Sequence, residues 1–481
     1  MKWLAVLDTL GIHEYVFSTN LLTQMRGASA LLNQCTVNAW SRAVKQPYGG
    51  MRIFCGGGNA QAIFPTAEAA QAYCRYAKEV LRRRTGSAIA ARWVEEACDG
   101  EAFPGGLGGI LDRAMANLDR EKHSGQGPAW MDWNAYARFC DVCGVESAVS
   151  LLPEDTWVCG GCRAKDRRKG YWFRSFRKWI SSKSFAGRWR DFAEPEHLNQ
   201  IGELSHPSGY LAFVYLDVNQ MGRWIRSADC LDAYSKMSLA VSAGIRDAVM
   251  EGLARCLVPQ SPAGGARPIA PFEIFLMGGD EAVLAVPAHV AADFAEVLFE
   301  VFDLAMAGSG SPRPLTLSVG VVFAHARFPV RLAVDRCCEL LKSCKARAHA
   351  LPEPQHVIDY MSATAAIEGP VRQARETQFV STDGRALFSR PFTRAEFRSL
   401  RELSSILRDL PRNKIHEIYD LAFGNQYQAV MDYCYWLTRL DADLRDRLAG
   451  QFARWGLLAS PFDSHGKTPV LDAIELAAFG G

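Results

Sequence analysis

At 481 residues the chain is long enough for three or four domains of about 100 to 200 residues each, with ample material for buried cores. A formal net charge of +2 and 49% apolar residues describe a globular protein with no global electrostatic pull toward nucleic acid or membrane. No run of about 18 apolar residues occurs, so no membrane span is expected, and the opening MKWLAVLDTLGIHEY carries Asp8 and His13 inside its apolar stretch, which reads as a strand and not as a signal peptide.

In chain order, residues 1–125 begin with the apolar strand WLAVLDT, which ends at Asp8. A helix is expected from about Leu21, then the hairpin FCGGGNAQAIF at 54–64, the helix AEAAQAYCRYAKEVLRRR and the strand SAIAARWV. This β-α-β-β-α-β order is that of a ferredoxin-like palm. The hairpin turn holds Gly56, Gly57, Gly58 and Asn59, with no acid.

Residues 126–200 carry a different signal. Cys140, Cys143, Cys159 and Cys162 form C-x2-C-x15-C-x2-C, in which two thiolate pairs and a short intervening hairpin close a tetrahedral zinc site. Four protein ligands leave no open position, so the zinc is expected to be structural. The other ten of the fourteen cysteines show no framework spacing, which fits reduced thiols and a cytoplasmic setting. Directly after the knuckles comes RAKDRRKGYWFRSFRKWISSKSFAGRWR, residues 163–190, dense in Lys and Arg with Tyr171, Trp172, Phe173, Phe176, Trp179 and Trp189 interleaved. Three readings stand: a single-stranded RNA binder with Arg167, Arg168 and Lys169 on phosphates and aromatics under bases, a helix whose aromatics pack into the core, or a contact for an acidic protein partner.

Residues 201–360 repeat the palm order. GYLAFVYLDVNQMG gives a strand ending at Asp217. After it come a long helix through AYSKMSLAVSAGIRDAVMEGLARCL, the hairpin LMGGDEAVLAV, the helix VPAHVAADFAEVLFEVFDLAM, the strand PLTLSVGVVFAH and the helix PVRLAVDRCCELLKSCKARAHA. The two hairpins share a frame, but only the second carries acids, Asp280 and Glu281, where the first has Gly58 and Asn59. Asp217, Asp280 and Glu281 are expected to converge at one sheet edge as catalytic residues holding Mg²⁺ or Mn²⁺, hard ions that bind through few carboxylates plus substrate phosphates. Gly278 and Gly279 let backbone N–H groups approach a nucleotide closely. Lys342 and Lys345 share a helix face, and one of them is expected to neutralise triphosphate charge.

Taken together, HEYVFSTNLLTQMRGASALL, CGGGNAQAIFP, the four-cysteine ribbon, YLDVNQMG, MGGDEAVLAVP and ELLKSCKARA resemble the large subunit of type III CRISPR effector complexes, the CRISPR polymerase family. RPFTRAEFRSL, LPRNKIHEIYDLAFG and LDAIELAAF, within 361–481, are similar to that family's C-terminal helical domain. The resemblance implies an α+β protein with two palms flanking a zinc ribbon, followed by helices. It implies a nucleotidyltransferase that makes cyclic oligoadenylates from ATP for antiviral signalling, with two nucleotides meeting between the palms. It places Asp217, Asp280 and Glu281 at the metal positions and Lys345 at a triphosphate-contacting lysine. Two features depart from the family pattern. The first palm starts at residue 1 and no His-Asp dipeptide occurs, so DNA cleavage by a His-Asp nuclease is not expected. The hairpin ends Asp-Glu where the family commonly has Asp-Asp, as in cyclases that make cyclic dinucleotides.

A cyclising enzyme needs an acceptor pocket facing a donor pocket, and only the donor needs metals. The first palm, with Gly57, Gly58 and Asn59 as nucleotide-binding candidates, suits an acceptor that binds without catalysing; plain scaffold is the competing reading. Three functions stay open: a cyclic-oligonucleotide synthase, a structural large subunit of an RNA-guided complex with other CRISPR-type subunits, and a diguanylate-cyclase-like enzyme.

Overall fold

Two sheets share one four-strand antiparallel order, and the second is extended by two further strands. In the computed structural model, residues 2–86, 89–98, 108–124, 137–166, 170–226, 231–262, 267–309, 314–363 and 369–480 are described. The first sheet comprises β1 (Lys2–Leu10), β2 (Met51–Gly56), β3 (Asn59–Phe64) and β4 (Ala90–Cys98), ordered β2-β3-β1-β4. Its central strand is buried from Leu4 to Leu7, as an uninterrupted apolar run covered on both faces requires. The expected first helix spans Leu22–Asn33 and runs on through a wide turn, Gln34–Trp40. The next, Ala67–Arg84, starts where Thr66 caps it, the hydroxyl accepting the Ala69 N–H.

Between the two sheets in chain order comes a hairpin of β5 (Ser150–Leu152) and β6 (Thr156–Val158), set between the two cysteine pairs as expected. The helix Tyr171–Ile180 follows. Its Trp172, Phe173 and Phe176 are buried: Phe173 stacks on Phe272 at 5.2 Å, and Trp189 meets the Phe176 ring edge-on at 4.8 Å. The expectation of aromatic faces for stacking bases is therefore corrected for these residues. Their π surfaces are spent on the core, and the core-packed helix is what the chain builds. Arg167, Arg168 and Lys169 lie outside the described residues.

The second sheet comprises β7 (Tyr210–Val218), β8 (Glu273–Gly278), β9 (Glu281–Pro287), β10 (Leu317–His325), β11 (Val357–Ala363) and β12 (Phe392–Thr393), ordered β12-β11-β10-β7-β9-β8. Its β10-β7-β9-β8 portion repeats the first sheet. β11 adds in parallel to β10 and β12 closes the edge. The sheet thus runs past the boundary expected at residue 360, because β11 crosses it to pair with the core strand β10.

Along β7, buried on both faces, the core that each residue joins alternates with period two. Ala212, Val214, Leu216 and Val218 join a core with the helices Leu231–Cys256 and Ala291–Ala307. Leu211, Phe213 and Tyr215 join a second core with the helix Val330–Ala350 and with first-palm residues such as Ala5, Leu7 and Phe17. Both cores draw on both sheets. The palms are one packed unit, also tied by a buried pair between Arg26 of the first and Glu273 of β8.

Helices occupy the C-terminal region as expected. Arg394–Arg408 opens with a capping box of Thr393 and Glu396. Val470–Ala477 is held to the second sheet through buried Arg390, which pairs with Asp472 at 2.6 Å and also meets Glu475. No helix among the described residues is long and apolar enough to cross a membrane.

Candidate active site

Cross-strand register builds the site. Asp217 near the end of β7 pairs with Glu281 at the start of β9 and with Ser318 on β10, while Gly278 pairs with Glu281 across the turn. Gly279 turns the hairpin at φ +66°, a conformation L side chains rarely adopt. The Val218 N–H donates to the Asp280 carbonyl at 3.1 Å, fixing the turn beside β7. The chain after Asp217 is held by buried Asn219, whose amide donates to Thr316 Oγ1 at 3.0 Å and accepts from the Ser318 hydroxyl at 2.7 Å. Gln220 then takes φ +61° and turns the chain around the site.

A cavity of about 380 Å³ opens there, lined by Asp217, Asp280 and Arg223 and by Lys345 and His349 on the helix Val330–Ala350. Lys345 Nζ lies 2.7 Å from Asp217 Oδ1. Burial pushes the Asp217 carboxyl up to about 6, helped by the Asp280 charge and opposed by Lys345. Burial raises Asp280 as well, against its own backbone hydrogen bond. Two carboxylates, largely withdrawn from water and facing one space, suit a divalent ion that also takes phosphate oxygens.

Glu281 is placed differently from expectation. It does not line the cavity. Its Oε2 accepts from Tyr215 OH at 2.5 Å, and burial pushes its carboxyl up to about 7. Asp280 sits in the turn itself, whereas Glu281 is the first residue of β9, opposite Asp217 and on the sheet face that also carries Tyr215. Lys342 is exposed one turn before Lys345 and also stands outside the cavity.

The glycines serve packing. A Cβ built on Gly57 would lie 3.1 Å from the Gly278 carbonyl oxygen, and one on Gly278 would lie 3.0 Å from Gly57 N, so the two hairpin turns meet backbone to backbone. Gly58, at φ +87°, leaves room for Ile12, and its carbonyl accepts from the Thr9 hydroxyl at 2.7 Å. Asn59 sits opposite Asp8 as Glu281 sits opposite Asp217. Asp8 in turn pairs with Lys122 of the helix Gly108–Ser124 at 2.5 Å, repeating the Asp217–Lys345 pair in the first palm.

Sequence reasoning did not find Arg223, His349, Tyr215, His13 or Lys122. His349 carried a signal, being four residues after Lys345 on one helix face. Lys122 carried one too, since the first palm's last helix repeats the second's. The zinc expectation meets a fitting donor set: the four sulfurs of Cys140, Cys143, Cys159 and Cys162 all lie within 4.8 Å of one another, with Cys143 and Cys159 at 3.9 Å. Tetrahedral Zn–S bonds of about 2.3 Å put sulfurs roughly 3.8 Å apart.

The fold and site together define a double-palm protein with one carboxylate-bearing palm edge. Residues 210–350 match the family described as Cas10/Cmr2, second palm domain. The whole chain has a Cas10-like fold. It is similar to a chain of a Csm1-Csm4 cassette in complex with AMPPNP (14% identity, TM-score 0.61, covering 100% of this chain and 69% of that one). It is also similar to Csm1 of T. onnurineus (15%, 0.57, 99% and 69%), and to a chain of a Csm1-Csm4 cassette in complex with cA4 (14%, 0.56, 88% and 62%). The chain thus spans under two thirds of the cA4-bound match and somewhat more of the other two. No curated protein matches the sequence.

Proposed function

We propose that the chain joins nucleoside triphosphates, ATP favoured, into a cyclic oligonucleotide messenger of antiviral signalling. The observation that carries this reading is the convergence of Asp217, Asp280 and Lys345 on one cavity at the edge of a Cas10/Cmr2-type palm. Similar chains have been seen with AMPPNP and with cA4, which supports adenine nucleotides as substrate and product. Asp217 and Asp280 would hold Mg²⁺ or Mn²⁺, which when bound polarises the α-phosphate and eases deprotonation of a 3′-hydroxyl. Lys345 supplies fixed positive charge for triphosphate oxygens. In each addition the 3′-oxygen of one nucleotide forms a bond to the α-phosphorus of the next, and the bond to pyrophosphate breaks. The last addition is intramolecular and closes the ring.

The Asp8–Lys122 pair supports the first palm as a degenerate copy that retains a charged edge, and Asn59→Ala is expected to weaken acceptor binding without altering the metal site. Pyrophosphate release from each NTP with Mg²⁺ or Mn²⁺ tests the proposal. Release by the wild type and its absence in Asp280→Asn support it; equal release by both contradicts it.

A second reading, a large subunit within an RNA-guided complex, is favoured by one surface. Tyr427, Met431 and Tyr435 stand 87%, 70% and 63% exposed at four-residue spacing along the helix Gln426–Thr438. Such a stripe suits a subunit contact, and the two roles are compatible. Co-purification of RNA or further subunits with the chain from its own cells tests it.

A further inference from the structure

The acid that stands outside the cavity has a defined environment of its own. Glu281 Oε2 accepts from Tyr215 OH, and that hydroxyl lies 3.4 Å from Nε2 of His13. The His13 ring meets Tyr215 edge-on at 5.6 Å, and its Nδ1 lies 3.9 Å from Cys338 Sγ on the helix Val330–Ala350. His13 belongs to the first palm, on the short helix Ile12–Val16 that follows β1. Its neighbour Ile12 packs against the turn at Gly58, which belongs to the hairpin that touches Gly278. The second-palm hairpin is therefore held from the first palm at two points, backbone against backbone at Gly57 and through side chains at Glu281.

We infer that Glu281 is a positioning residue, linked through Tyr215 to His13, that sets the catalytic turn against the first palm, and that Asp217 and Asp280 alone supply the metal carboxylates. The inference rests on the cyclase reading above and deepens it. Three groups carry it by geometry: an acceptor on the first residue of β9, a tyrosine on the neighbouring strand whose hydroxyl occupies that acceptor, and a histidine brought from the other palm. A metal ligand would need its carboxylate in the cavity, where Asp217 and Asp280 stand and Glu281 does not. Positioning by a hydrogen-bonded carboxylate depends on acceptor oxygen and shape, whereas metal binding depends on charge. Glutamine separates the two.

The test counts Mn²⁺ bound to the full chain in the presence of a non-hydrolysable ATP analogue, using the free-ion spin resonance signal, alongside kcat and KM. Glu281→Gln is expected to bind as many Mn²⁺ per chain as the wild type and to hold KM within about twofold, while Asp280→Asn loses bound Mn²⁺. Glu281→Ala, Tyr215→Phe and His13→Ala are each expected to lower kcat roughly tenfold at unchanged Mn²⁺ count, with Glu281→Gln retaining most of what Glu281→Ala loses. The double variant Tyr215→Phe/Glu281→Ala should be no slower than either single one, as members of one linked unit behave. Zinc content and thermal midpoint report folding of each variant. Loss of a Mn²⁺ equivalent in Glu281→Gln, or fully additive losses in the double variant, would overturn the inference. The count needs no turnover: a chain that binds Mn²⁺ yet is inactive on every NTP overturns the cyclase reading and leaves Glu281 decided by the count, and a wild type that binds no Mn²⁺ overturns both.

Discussion

Asp217 shows how burial and a neighbouring acid together tune a site. Its carboxyl is pushed up to about 6 by desolvation first and by the Asp280 charge second, even with the Lys345 ammonium beside it. An acid raised in the folded state favours folding most below its unfolded value, and that contribution is lost as pH rises through about 6. A divalent ion needs the opposite, the deprotonated carboxylate. Raising pH from 5.5 to 7.5 is therefore expected to tighten Mn²⁺ binding roughly fourfold or more while removing stability from the metal-free chain. Titration calorimetry and thermal melts at the two pH values check the two signs. Asp217 and Asp280 were legible in the sequence because a strand end and a hairpin turn fix where each must fall, while helix spacing left Lys342 and Lys345 as alternatives and only the family resemblance picked out Lys345. The departure of Glu281 was not legible, since its partners Tyr215 and His13 are defined by a register and an inter-palm contact that no local pattern encodes.

The four-cysteine ribbon and the helix after it are elements whose meaning depends on what they dock against. The short helix Gly160–Asp166 begins within the second cysteine pair and ends near Lys165, which is 2% exposed. Lys165 Nζ donates to the Tyr15 carbonyl at 2.5 Å and to the Ser18 hydroxyl at 2.8 Å, and lies 4.1 Å from the Tyr15 ring centre. Gly27 admits this helix, since a Cβ there would collide with the Lys165 carbonyl. The ribbon is thus pinned to the first palm through the helix that begins in its second cysteine pair. One tightly held zinc per chain is expected by elemental analysis. Cys159→Ser/Cys162→Ser should lose it, lower the thermal midpoint and reduce product, although the cavity lies on the other palm. A metal-free native protein would remove this claim. The four cysteines declared themselves by spacing. The aromatic stretch did not, because the same alternation of cations and rings serves a stacking platform or a core helix, and the arbiter is Phe272, far along the chain.

At the scale of the molecule, duplication was legible as two copies of one β-α-β-β-α-β order, and the shared cores explain why the copies act as one body. The sheet extension was not legible: β11 and β12 add to the second palm only, and the two-residue β12 is too short to leave a pattern. That extension is where the C-terminal helices attach. Arg390, 4% exposed, joins Asp472 and the Tyr360 carbonyl there, so Arg390→Ala would leave Asp472 buried without its partner. A loss of about 3 to 5 kcal/mol in chemical denaturation is expected, with the helical region released first. On the proposed function, the two palms, one armed with Asp217 and Asp280, close nucleotides into a ring. Mass spectrometry of the products formed from ATP with Mn²⁺ tests it most directly. The account predicts species whose masses are whole multiples of an adenylate residue with no 5′-triphosphate, absent when Asp217→Asn replaces the wild type; linear chains alone, or no product from any NTP, would contradict it.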